Sequence, residues 1–169
     1  DHATLLKKMS FPRIALPVTV SSICILNNAF LFLSILGIFS MLGKPPSLDV
    51  LWIPVLTLLV ALLGIGLGLI LGTLNVFLRD IGQVVPVVMQ ILFWFTPIVY
   101  PVSTIPEQYR QFLRLNPLYT LVSAYQSVLV YQRGPDLMAL LPVLLLSLSL
   151  IVLGLFLFRR ASSELVDVL

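Results

Sequence analysis

Reactive side chains are scarce in this sequence. Its 169 residues include ten Lys or Arg, seven Asp or Glu, one His and one Cys. Charged residues make up 10 % of the chain, against about 25 % in an ordinary soluble domain. They are also segregated: Ile14 to Gly43, Val50 to Leu78, Ile81 to Pro106 and Leu137 to Phe158 carry none. Cys24 lies alone inside the first apolar run, which excludes an internal disulfide and a cysteine metal site. His2 stands at the terminus, so a metal site is not expected. There is no G-x-S-x-G, no H-E-x-x-H and no pair of carboxylates able to meet as acid and base. Asp80 and Glu107 flank opposite ends of one apolar run, roughly 30 to 40 Å apart by helix rise. Ion coupling wants an ionisable group at depth, and the apolar runs hold none. The net charge of +3 does not point to nucleic acid. The Lys and Arg sit at the ends of apolar runs, where they anchor and orient helices.

What is present is apolar length. Each uncharged run exceeds the roughly 18 residues that mark a membrane-spanning helix. The sequence predicts an all-α polytopic transmembrane bundle in one domain, residues 1–169, with four spans at 14–42, 50–78, 83–103 and 137–158. Between the last two spans, 104–132 reads as re-entrant or interfacial helices. Leu118 to Tyr131 is apolar but too short to cross comfortably. Thr104 to Glu107 has the T-x-x-E form of a capping box opening a short helix, Glu107 to Leu115, which Asn116-Pro117 stops. Residues 1–13 form an amphipathic interfacial segment carrying Lys7, Lys8 and Arg13. The first apolar run is too long for a signal peptide, and the sequence reads as the C-terminal part of a longer protein.

Charge orients this arrangement. With four spans, Lys7, Lys8, Arg13, Arg79, Arg159 and Arg160 fall on one side, and Lys44, Arg110, Arg114 and Arg133 on the other. The positive-inside rule then favours both termini in the cytoplasm.

Within the spans, Asn27 and Asn28 sit near the middle of the first, as amides that bond across to another helix. Gly64, Gly68 and Gly72 recur at i, i+4 in the second and form a helix-packing face. Arg79-Asp80 marks a tight cytoplasmic turn. In the third span Gln83, Pro86, Gln90, Phe93, Pro97 and Tyr100 gather on one broad stripe. Polar groups and helix-breaking prolines on one face read as facing protein or water rather than lipid. Aromatic rings and neutral amides suit sugars, since a ring stacks on C–H surfaces while amides bond hydroxyls.

Leu5 to Pro17 (LLKKMSFPRIALP), the N-x-x-x-R-D of Asn75, Arg79 and Asp80, Phe95 to Pro101 (FTPIVYP), Ile105-Pro106 and Asn116 to Leu118 (NPL) follow in order. In order and spacing they resemble the membrane subunits of ABC-2 type exporters, most closely the polysaccharide class that exports O-antigen, capsule or teichoic acid. The resemblance runs over nearly the whole chain from about Leu5. It implies six spans in the complete protein, the ones here corresponding to its third to sixth. It implies a homodimeric permease in the bacterial inner membrane. Two ATP-binding subunits carry ATP and Mg, and no cofactor is bound by this chain. A lipid-linked glycan is the substrate, membrane lipids surround the permease, and nucleic acid has no part. It also implies a coupling segment that docks on the ATP-binding subunit through Lys7, Lys8, Phe11, Pro12 and Arg13, and a re-entrant helix pair over Thr104 to Tyr131. The pathway candidates are Gln83, Gln90, Phe93, Trp94, Tyr100, Tyr109 and Tyr125. An ABC-2 exporter of drugs or lipids, and a non-transporting membrane assembly subunit, remain open alternatives.

Overall fold

A computed structural model of the chain describes residues 15–43, 47–98, 100 and 105–168. The coupling candidates Lys7, Lys8, Phe11, Pro12 and Arg13 lie outside the described residues. Regular structure among the described residues is helical throughout. It comprises α1 (Ala15–Met41), a 3-10 helix (Leu48–Trp52), α2 (Ile53–Phe77), α3 (Ile81–Phe95), α4 (Glu107–Leu113), α5 (Pro117–Leu129) and α6 (Leu137–Val168). Three stretches are long and apolar enough to cross a membrane, Pro17–Met41, Leu48–Phe77 and Leu137–Ala161, and Ile81–Phe95 is a shorter apolar helix.

The third span departs from the expected 83–103. Its helix stops at Phe95 after 15 residues, about 22 Å of rise against a hydrocarbon core of about 30 Å. Pro97 is the cause: a residue before proline is pushed out of the helical region, and Thr96 accordingly has φ −92° and ψ 125°. The backbone N–H and the hydroxyl of Thr96 both donate to the Leu92 carbonyl, at 2.9 and 2.8 Å. The break is therefore buried and satisfied, Thr96 being 1 % exposed. Pro86, six residues into α3 (Ile81–Phe95), does not interrupt it. Thr104 of the expected capping box lies outside the described residues, and the short helix α4 runs from Glu107 to Leu113 with Pro106 as its N-cap.

The core joins three helices. Ile53, Leu56, Leu59 and Leu63 of α2 meet Leu121, Ala124 and Val128 of α5 and Leu140 and Val143 of α6. On α2 the buried stripe continues through Gly66 to Thr73. On α6 it runs through Leu140, Val143, Ser147 and Ala161. Ser147, Gly154 and Ala161 are seven residues apart, so small side chains return to the same helix face at each heptad. There the two backbones close on each other. A Cβ at Gly66 would stand 2.8 Å from Leu150 Cβ, and one at Gly154 2.8 Å from Leu69 Cβ. By contrast α3 buries no residue, and α1 leaves Phe30, Leu31 and Leu33 more than 60 % exposed.

These contacts also fix direction. Gly66 meets Leu150 and Ile151, Gly154 meets Leu69 and Ile70, and Gly134 lies beside Asp49 and Trp52. The partner numbers rise together, so α2 and α6 run parallel. The start of α6 lies at the same end of the bundle as the 3-10 helix.

Candidate functional site

The turn between α2 and α3 is built by one amide. Asn75 Oδ1 accepts the Gly82 N–H at 2.8 Å, which ties the end of one helix to the start of the next. A Cβ at Gly82 would stand 3.1 Å from that oxygen, so the small residue permits the approach. Leu78 leaves the helix in an extended conformation at ψ 91°. Arg79 and Asp80 are thereby presented to the outside, both exposed.

Along α3, Gln83, Gln90, Phe93 and Trp94 are exposed. At its far end the aromatics gather. The Phe93 and Trp94 rings meet edge to face with centroids 6.1 Å apart. Tyr100 donates its hydroxyl to the Trp94 carbonyl at 2.9 Å. This aromatic corner stands beside a second junction. The Asn116 amide donates to Thr96 Oγ1 at 3.2 Å, while its own oxygen accepts the Leu118 N–H at 3.0 Å as the N-cap of α5. The FTP and NPL segments, distant in sequence, thus bond to each other.

Two of the sequence-derived pathway residues stand apart from that corner. Tyr109 is on α4, 55 % exposed. Tyr125 is half-buried, and its hydroxyl shares a 3.0 Å hydrogen bond with Thr57. The Thr57 hydroxyl also lies 3.4 Å from Asn28 Oδ1. A polar line therefore crosses α1, α2 and α5 through three neutral side chains. Tyr125 belongs to this line, and Asn28 is the interhelical amide that its mid-span position predicts.

The closest helix approach on α2 lies on a different face from the expected glycines. Nothing stands within 4 Å of a Cβ built at Gly64, Gly68 or Gly72. The close approach is at Gly66, two residues from the first of them and so about 200° around the helix. Gly64 and Gly68 instead line a mostly apolar groove of about 580 Å³ between α1 and α2. Gly154, the partner of Gly66, was legible as one of the small residues recurring every seven along α6, a signal that the run of glycines in α2 overshadows.

The profile of the ABC-2 type transporter family matches residues 1–130. The O-antigen export system permease protein RfbA of Myxococcus xanthus is 31 % identical over 169 residues, covering 97 % of this chain and 64 % of that protein. Two proteins of the same name from Klebsiella pneumoniae are also similar. One is 29 % identical over 128 residues, covering 75 % of this chain and 49 % of its own length. The other is 26 % identical over 176 residues, covering 99 % and 65 %. The chain thus spans about half to two thirds of the length of these relatives. With its long apolar helices it is a multi-pass membrane protein. The chain belongs to the ABC-2 type transporter family of membrane permeases.

Proposed function

We propose that this chain is the transmembrane part of an ATP-driven exporter. It moves a lipid-linked polysaccharide, of O-antigen, capsule or teichoic acid type, across the bacterial plasma membrane. The observation that carries this reading is the likeness, over nearly the whole chain, to permeases named for O-antigen export. ATP and Mg are bound and ATP is hydrolysed on a separate ATP-binding subunit, and two copies of the permease form the passage.

The fold is read as four spans with a re-entrant pair, α4 and α5, and with both termini cytoplasmic. The parallel run of α2 and α6 supports it. If α3 carries the chain back to the 3-10-helix end, then α4 and α5 together begin and finish at that end. Asn75, Arg79 and Asp80 form the cytoplasmic turn. Lys7, Lys8, Phe11, Pro12 and Arg13 dock on the ATP-binding subunit. Gln83, Gln90, Phe93, Trp94, Tyr100 and Tyr109 face the passage. Tyr125 contributes its ring, its hydroxyl being held by Thr57. Gly64, Gly68 and Gly72 pack a helix other than α6.

The test is genetic and biochemical together. In a strain lacking the parent gene, surface glycan is absent and returns with the wild-type gene. Phe11→Ala with Arg13→Ala leaves the permease in the membrane but abolishes both co-purification of the ATP-binding subunit and glycan export. Surface glycan that persists in the deletion strain overturns the reading.

A further inference from the structure

The helices α1 and α2 run antiparallel: Asn28 meets Thr57, while Pro17 and Ser21 lie across from Ile65 and Leu69. At the level of Asn28 they are joined, Thr57 Oγ1 donating to Asn28 Oδ1 at 3.4 Å. On the 3-10-helix side of this bond, Phe32 rests on the buried cluster. On the other side the groove of about 580 Å³ lies between the two helices.

The two walls of this groove carry one pattern. On α1 the lining residues Asn28, Cys24, Ser21 and Pro17 follow at steps of four, three and four. On α2, Thr57, Ala61, Gly64 and Gly68 follow at the same steps. Steps of three and four keep to one helix face. In an antiparallel pair the rows therefore stand in register from the Asn28–Thr57 bond onward, Cys24 level with Ala61, Ser21 with Gly64 and Pro17 with Gly68. Neither row holds a Leu, Ile or Phe; the bulkier Val20, Ile25, Val60 and Ile65 flank them. Facing rows of small residues are what lets two membrane helices bring their backbones together. Here that approach has not been made, since no described atom stands within 4 Å of a Cβ built at Gly64 or Gly68.

What could fill the gap is restricted. Ser21 donates its hydroxyl to the Pro17 carbonyl at 2.7 Å, and Thr57 is shared by Asn28 and Tyr125, so these polar groups call for no polar ligand. A third helix is too thick to enter between the walls. Over the length from Pro17 to Asn28, about 16 Å, a cylinder about 10 Å across displaces about 1,300 Å³, more than twice the groove. The first helix is itself built to bend there. Thr19, Ser21 and Ser22 each donate to the carbonyl four residues back, at 2.7, 2.7 and 2.8 Å, and such back-bonding bends helices.

We propose that the Pro17 end of α1 is a strap that closes onto α2, swinging about the Asn28–Thr57 bond and seating Cys24, Ser21 and Pro17 on Ala61, Gly64 and Gly68. The structure shows the strap open. Closure exchanges the groove for close packing between helices and breaks none of these hydrogen bonds. It stands on the geometry of the two helices and not on the reading of the chain as an exporter.

The experiment is disulfide trapping in the full-length protein in native membranes. A protease site after Gly43 lets the two helices separate on a gel unless they are joined. One pair is the native Cys24 with Ala61→Cys. A second, on Cys24→Ser, is Ser21→Cys with Gly64→Cys. A control on the same background, Leu26→Cys with Leu58→Cys, has the same depth but places Leu26 on the opposite side of α1. A disulfide needs Cα atoms within about 7 Å, so copper phenanthroline joins the 21–64 pair only when the strap closes. The two groove pairs are expected to join to within about twofold of each other, and the control at least about tenfold less. Gly68→Leu, which fills the seat of Pro17, lowers joining of the 21–64 pair about threefold or more by shifting the strap toward open, with the amount of protein in the membrane unchanged. Joining at 24–61 without joining at 21–64 means a fixed opening and overturns the strap. Joining at neither, as a lipid chain or another protein segment wedged in the groove would give, also overturns it, as does full joining in Gly68→Leu. Each of these results leaves glycan loss in the deletion strain standing, and persistent export there would leave the trapping pattern standing, so the two readings fail separately.

Discussion

Asn116 uses both ends of its amide, one to cap α5 and one to hold Thr96, and Tyr125 uses its phenol to reach Thr57 across the bundle. Such neutral bonds inside membrane bundles contribute modestly, about 0.6 kcal/mol on average and up to about 1.7. Tyr125→Phe is expected to destabilise the bundle by an amount in that range. Thr57→Val should then add little in the double variant, as a double-mutant cycle in detergent unfolding reads directly. Additive losses would mean that the two hydroxyls do not share a bond. At this scale the sequence was half legible. Mid-span asparagines announce interhelical bonding because an amide has nowhere else to go in lipid, and Asn28 does so. Tyr125 was read by residue type as a sugar contact. Its bond to Thr57 joins residues 68 apart in sequence, and no local pattern encodes that.

Among the elements, the contact of α2 with α6 is the tightest. Gly66→Leu or Gly154→Leu places a side chain where a Cβ already stands 2.8 Å from its neighbour. Overpacking of this kind costs about 1–3 kcal/mol, to be seen as a lower unfolding midpoint in detergent. Gly64→Ala, with nothing within 4 Å of the added Cβ, should cost less than either, since Ala also favours helix over Gly by up to about 1 kcal/mol. Equal loss at positions 64 and 66 would reverse the assignment of faces. Helix existence was legible throughout, because uncharged runs of this length have few other fates. The end of α3 was not. Its apolar run continues past Phe95, and hydropathy cannot see that Pro97 forces Thr96 out of the helix while Asn116 waits to receive it. Which glycine face packs inward was equally hidden, since a G-x-x-x-G pattern names a close contact without naming the partner.

For the whole molecule, the direction of each helix is the quantity to measure. With α2 and α6 parallel, Arg133→Cys and Asp49→Cys are expected to react from one side of the membrane and Arg79→Cys from the other, each with Cys24→Ser. Impermeant thiol labelling of intact and permeabilised cells distinguishes the sides. Reaction of positions 133 and 79 from the same side would require α5 to cross, and the four-span reading would fall. The span count and the placing of 104–132 were drawn from length and charge, and the labelling of positions 79 and 133 is what tests them.

The third helix has a mechanical consequence. It buries no residue along its length, yet is bonded at its base through Asn75 and Gly82 and just beyond its end through Thr96 and Asn116. Held at both ends, it links the Arg79-Asp80 turn to the root of α5 about 22 Å away. The far tie is a single amide–hydroxyl bond, so Asn116→Ala would leave the end of α3 joined to α5 by the intervening chain alone.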